Sequence, residues 1–428
     1  TYVFEKKKSL IDGPPMCHLH SGGNLYREIP DDDCIDLLKQ CIDIARLYPH
    51  TIDVRPTVFA VPKRDDDSPE DLFPRLDKLV KAYSELVDQD SANKVLGEPE
   101  HYYQLYKLKF PLIVAQEYGW NIFRLSASAQ LALAQYKHAH VLTNTCVNSV
   151  VPATNNKIDK KITKWNIEYQ TQASLEAKTV EVDYLINACG FQTGIIDDLV
   201  GVDVKRMVEF KASYITHWQG AGGQIPEIII YGNRGTPEGM AQLTPYPNGY
   251  FQIHGMTNNI TLFNDGLADA TPMSAQPKLP DKYLHYIKGG WDKTALQARN
   301  QTAIDYVAEF VPAFKSANTQ NNALFGGQQI PGDDDTLRVA DVSLYSHINY
   351  ARAENVKASS TLIAADQIVG EFIKLGIISS DPAVNHHRST HQWSYLKHNS
   401  GDKIDEVARI LAHERGFPID MAELNNSL

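Results

Sequence analysis

What most restricts the fold is an all-β stretch inserted between segments where strands alternate with helices. From Val208 to Phe263 the pattern is one of short strands: Tyr214 to Trp218, Glu227 to Tyr231, Tyr250 to His254 and Ile260 to Phe263. Glycine and proline turns such as Tyr246-Pro247-Asn248-Gly249 separate them. Before it, an amphipathic helix starts at Asp31, with Cys34, Leu37, Leu38, Cys41, Ile42 and Ala45 on its apolar side. Further helices are expected from Ser68, over Arg124–His138 and Thr294–Phe310, and from about Arg352 to Leu375. Strands are expected at Thr1–Phe4, Thr57–Val61, Lys109–Val114, His140–Val150, Trp165–Tyr169 and Leu337–Val342. Val180 to Ala188 is nearly continuous in apolar residues, as in a strand buried on both faces. Helix–strand units that resume after a β insertion imply two domains, each discontinuous in sequence.

At 428 residues the chain is long enough for two such domains. Lys and Arg total 41 against 52 Asp and Glu, a net charge of −11, which argues against a nucleic-acid partner. Five cysteines without a CxxC pair read as free thiols in a reducing compartment. No stretch approaches the roughly 20 apolar residues of a membrane-spanning helix. His386, His387 and His391 lack the acidic or Cys partners of a metal site, so no metal is expected. No GxSxG elbow appears, and no cysteine has a nucleophile's context.

Four segments carry the chemistry. Val3-Phe4-Glu5 is an apolar strand ending in a carboxylate, suited to accept hydrogen bonds from a ribose diol. Leu185 to Phe191, with Asn187-Ala188-Cys189-Gly190 at its centre, is a strand ending in small residues that let a bulky ligand approach the backbone. Ser21-Gly22-Gly23-Asn24-Leu25 offers free backbone N–H groups for a phosphate. Gly326-Gly327-Gln328-Gln329 reads as a glycine turn before the helix from Arg352, whose N-terminus, with Lys357, would stabilise negative charge.

In order and spacing these segments resemble the FAD-dependent oxidoreductases of the D-amino-acid oxidase and glycine oxidase superfamily, which includes glycerol-3-phosphate dehydrogenase. Thr143-Asn144-Thr145-Cys146-Val147 and Glu117-Tyr118-Gly119 match two further elements of that family. The resemblance implies an α/β fold: an FAD-binding Rossmann-like domain of the glutathione-reductase type with an inserted, β-sheet-rich substrate domain. The FAD-binding part would comprise residues 1–50, 115–205 and 320–380. The substrate part would comprise 51–114 and 206–319, and 381–428 would form a tail. FAD would be held by Glu5, Lys6, Ser21, Gly22, Gly23, Asn24, Leu25, Val147, Ala188, Gly190, Gly327, Gln328, Asn355, Val356 and Lys357.

The implied activity is hydride transfer to FAD from a C–H bond next to an amine or hydroxyl, with oxygen or a quinone as final acceptor. The substrate would be a small molecule bearing a carboxylate, held by Arg352, Tyr350, Tyr246, His254 or Arg55, of which an arginine could make two parallel hydrogen bonds. An amino-acid or amine oxidase or dehydrogenase comes first. A 2-hydroxy-acid or polyol-phosphate dehydrogenase, or a non-catalytic protein that has lost flavin binding, are the alternatives. The expected compartment is the cytoplasm, with peripheral contact to a membrane left open. One departure stands out: the family's GxGxxG turn is not in the sequence. Because Thr1 already begins a strand, a fragment or dropped residues are the favoured expectation over a form that binds FAD weakly.

Overall fold

The structure is a computed structural model. It describes residues 1–23, 29–86, 107–153, 162, 164–174, 176–219, 225–333, 341–355, 357–380 and 401–424. Among these, the main sheet has nine strands: β2 (Met16–Leu19), β3 (Ile52–Ala60), β4 (Ile113–Asn121), β10 (Arg206–His217), β11 (Glu227–Ile230), β12 (Ala241–Pro245), β13 (Tyr250–Gly255), β14 (Leu267–Asp269) and β15 (Asn318–Pro331). Their order is β14-β10-β13-β12-β11-β3-β4-β2, with β15 also paired along β10. The pairings are antiparallel except β11 with β3.

Three smaller sheets complete the α/β fold. β1 (Tyr2–Phe4) pairs in parallel with β5 (His140–Leu142). β6 (Thr145–Pro152), β7 (Trp165–Thr171) and β8 (Lys178–Val182) form an antiparallel meander. β9 (Leu185–Asn187) pairs in parallel with β17 (Tyr350–Glu354), which pairs with β16 (Asp341–Tyr345). The helices are α1 (Asp31–Leu47), α2 (Phe73–Leu86), α3 (Ile122–Leu133), α4 (Thr193–Val200), α5 (Asp281–Gly289), α6 (Lys293–Ala308), α7 (Thr361–Lys374) and α8 (Gly401–Glu414). Among the described residues, no helix is long and apolar enough to cross a membrane.

Side-chain alternation gives the main sheet two unlike faces. On one face Val58, Ala60, Ala212, Tyr214, Ile228, Ile230, Leu243, Phe251 and Ile253 pack against Leu296, Ala303, Ile304 and Val307 of α6. The intervening residues Lys211, Ser213, Gln242, Thr244, Gln252 and His254 point to the opposite side. On that side α8 lies on α3, its Ile404, Ala408, Leu411 and Ala412 buried with Phe123, Met16 and Tyr246. Arg124 of α3 pairs with Asp405 of α8 at 2.7 Å.

Several sequence expectations change. Val180–Ala188 is two strands in different sheets, and neither is buried on both faces; Glu181 instead reaches out to Lys164 at 2.7 Å. Gly326-Gly327 is no turn but the middle of β15, opposite Lys211 and Phe210 of β10. A Cβ at Gly327 would sit 2.7 Å from the Phe191 ring, which explains the glycine by close packing. Arg352 starts no helix: alternation of Arg352 and Glu354 with small alanines suits strand β17, and α7 begins at Thr361. Ile260–Phe263 is a turn whose Ile260 and Leu262 N–H groups donate to the Thr257 carbonyl. His140–Val150 is broken by Asn144, left-handed at φ 49°. Residues 334–340 and 381–400 lie outside the described residues, and with them most of the Leu337–Val342 strand and the three tail histidines.

Gly22 has φ +87°, and a Cβ there would lie 2.2 Å from the Cys34 carbonyl oxygen at the start of α1. Gly22→Ala therefore combines left-handed strain with a backbone clash, and a loss of at least about 2 kcal/mol is expected in urea unfolding. A change below about 0.5 kcal/mol would contradict that placement.

Candidate active site

The polar face of the main sheet walls a cavity of about 290 Å³. Lys211, Gln242, Thr244, Gln252 and His254 reach it from β10, β12 and β13, and Gln328 from β15. Met16, Cys17, His18, His20 and Lys357 also line it. Among the described residues no Asp or Glu lines it.

His254 sits at the centre of this chemistry. Burial, with the positive charges of Lys211 and Lys357, presses its pKa down to about 3, so the imidazole is neutral at pH 7. Its Nδ1 is buried and has no hydrogen-bond partner among the described residues. Such a group costs stability unless something fills the role of partner. Lys211 Nζ donates to Gln328 Oε1 at 2.7 Å and pairs with Glu209 at 2.9 Å. Lys357 Nζ lies 3.0 Å from His20 Nε2.

Behind one wall runs a buried ionic chain. His18 Nδ1 is 2.7 Å from Glu227 and Nε2 is 3.0 Å from Glu117. Glu227 also accepts from Arg55 (2.8 Å), Gln242 (2.6 Å) and Thr244 (2.8 Å), and Arg55 reaches Asp53 at 3.3 Å. Burial would raise the Glu227 pKa, but Arg55 and His18 overcome it and hold the carboxyl well below its usual range. His18 is thus a fixed cation contributing to the cavity wall.

Of the residues expected to hold substrate, only His254 lines the cavity. Arg55 is spent on Glu227 and Asp53 behind the wall. Tyr246 donates to Gln252 Oε1 at 2.8 Å, and so braces a residue that does line it. Tyr350 and Arg352 belong to another buried cluster. There Tyr350 donates to Asp197 and accepts from Asn187, while Arg352 donates to Tyr345 (3.1 Å) and Ser343 (2.7 Å).

The expected cofactor residues fall into groups. Glu5 and Lys6 lie close enough to Cys189 to act on its thiol electrostatically, which brings the end of β1 beside the end of β9. Ala188 is exposed, and the Cα of Gly190 (φ +59°) faces open space. Gln328 and Lys357 line the main cavity. The Gln329 amide lies between the Gly190 carbonyl and the Asn355 N–H (3.1 Å), which ties these groups together. Gly23 packs against Glu117, and Ser21 is half-buried beside it. Val147 packs beside Val150 and Trp165 in a separate core. Asn24, Leu25 and Val356 lie outside the described residues.

Sequence reading missed Lys211, Gln242, Thr244 and Gln252. Their signal was present as polar residues at every second position of strands whose other positions are apolar.

No protein-family model matches the chain, and no curated protein matches it by sequence. Solved structures do match. A glycerol-3-phosphate dehydrogenase from Bacillus halodurans, complexed with FAD, is 11% identical over 98% of this chain and 76% of its own, with a TM-score of 0.53. Glycine oxidase from Geobacillus kaustophilus is 11% identical over 90% and 92%, TM-score 0.53. L-α-glycerophosphate oxidase from Mycoplasma pneumoniae, with FAD bound, is 14% identical over 88% of each chain, TM-score 0.54. The bifacial main sheet and the small sheets beside it thus form an α/β fold shared with these three structures.

Proposed function

We propose that the chain is an FAD-dependent oxidoreductase acting on a C–H bond next to an amine or hydroxyl of a small, carboxylate-bearing molecule. The observation that carries this reading is the cavity on the polar sheet face, where Lys211 and Lys357 flank a neutral, unpartnered His254. The cations suit a carboxylate, and His254 Nδ1 can hydrogen-bond a neutral amine or hydroxyl beside it. FAD, when bound, supplies the hydride acceptor. Glu5 and Lys6, with Ala188 and Gly190, would hold its ribose side; Ser21, Gly22, Gly23, Gln328, Asn355 and Lys357 would hold its ring side. The open backbone at Gly190 beside Glu5 fits such a ligand. The final electron acceptor would be oxygen or a quinone.

A hydroxy-acid or polyol-phosphate substrate is the second reading. It is favoured by the two lysines at the cavity and by glycerophosphate enzymes sharing the fold as closely as glycine oxidase does. The test is the visible absorbance of the purified protein after incubation with FAD and gel filtration. Retained flavin bands that bleach with an amino acid or a hydroxy acid support the reading and choose between the substrates. A protein that stays colourless overturns it. In the flavin-loaded protein, His254→Ala is expected to lower kcat/KM by about 100-fold at unchanged flavin content, which steady-state kinetics would check.

A further inference from the structure

A second cavity, of about 510 Å³, shares no lining residue with the first. Its walls come from the segment after β1, the α5–α6 junction, the middle of β15 and the chain after α8. Four cations, Lys7, Lys8, Lys293 and Arg415, line it. They meet two carboxylates: Asp12, shared by Lys7 (3.5 Å) and Arg415 (3.0 Å), and Glu414, 2.7 Å from Lys8. Lys293 has no ion pair among the described residues. Two positive charges are therefore in excess, on a chain whose net charge is −11. Trp291, Phe325 and Phe417 supply aromatic wall, and the Arg415 guanidinium carbon lies 5.0 and 5.5 Å from the ring centroids of Phe123 and Phe417. The Trp291 indole N–H has no acceptor among the described residues. Cationic and aromatic groups around a space of this size are what an organic anion with a ring requires.

We propose that this cavity is a second binding site, for a small aromatic molecule carrying one or two anionic groups. Lys7, Lys293 and Arg415 take its charge and the aromatic walls its ring. The site also bears on the first cavity. Arg415 donates to the Gly13 carbonyl as well as pairing with Asp12, and Pro14, the next residue, lines the main cavity. An anion competing with Asp12 for Arg415 therefore acts on the segment that forms the main cavity's wall.

Calorimetric titration of the purified protein with naphthalene-1,5-disulfonate, naphthalene-1-sulfonate and uncharged 1-naphthol tests the proposal. One-to-one binding is expected, tightest for the disulfonate and weakened by added salt. Lys293→Glu is expected to weaken disulfonate binding about tenfold and leave naphthol unaffected, while Lys211→Gln changes neither. Equal affinity for naphthol and the disulfonate overturns the proposal. So does a loss of binding in the Lys211 variant and not in the Lys293 variant, which would place the probe in the main cavity.

Discussion

Arg206→Met is expected to destabilise the protein by about 3–5 kcal/mol, read as a lower urea midpoint at unchanged slope. Arg206 is buried between Asp197, at 2.7 Å, and Glu354, at 2.8 Å, and also donates to the Ala275 carbonyl at 3.2 Å. Methionine fills most of the volume but leaves two buried carboxylates to share one cation, Arg352, at 3.6 Å from Asp197 and 2.9 Å from Glu354. The cluster spans β10, α4 and β17, so its loss loosens the join between the main sheet and the small parallel sheet. Adding Asp197→Asn to Arg206→Met leaves Glu354 matched by Arg352 and is expected to recover part of the loss. A cost under about 1 kcal/mol for Arg206→Met alone would show that the ion pairs do little.

The second large effect is with pH. Burial alone would lower the His18 pKa, but Glu227 and Glu117 reverse that and raise it from 6.5 to about 9. The folded chain thus holds the proton more tightly than the unfolded one. Its contribution is complete below about pH 6.5 and is lost as pH rises through about 9. A rise of this size corresponds to about 3 kcal/mol across that window. Urea unfolding from about pH 6 to about pH 9.5 should show the decline, and His18→Gln should flatten it while lowering stability overall. An unchanged pH slope in His18→Gln would place the titration elsewhere.

Much of the fold was legible in the sequence where one signal dominated. Helices α1 and α6 follow from apolar spacing, and β1, β7, β10, β11 and β13 from β-branched and aromatic runs. Reading failed where local and tertiary signals conflicted. Gly326-Gly327 looks like a turn because glycine is cheap there; only the Phe191 ring, distant in sequence, makes it a strand. Arg352 looks like the start of a helix because its partners, Glu354, Ser343 and Asp197, become visible only after folding. The site shows the same division. Of the residues singled out in the sequence, His254, Gln328 and Lys357 line the main cavity, whereas the commitment of Arg55 to Glu227 depends on pairing β3 with β11.

That parallel pairing sets a schedule for synthesis. Thr57 to Ala60 of β3 bond to Glu227 to Ile230 of β11, and β10, already paired with β13 and β14, is joined by β15 only with Asn318–Pro331. At about 5–20 residues per second, the wait between β3 and β11 is on the order of ten seconds or more. For that time Val58, Phe59 and Ala60, all buried at the end, sit in a nascent chain with one edge unpartnered. The same interleaving that closes the main sheet around its cavity thus makes early strand capture a hazard. Slow refolding and aggregation on dilution from denaturant, relieved by a chaperone, are its expected signature.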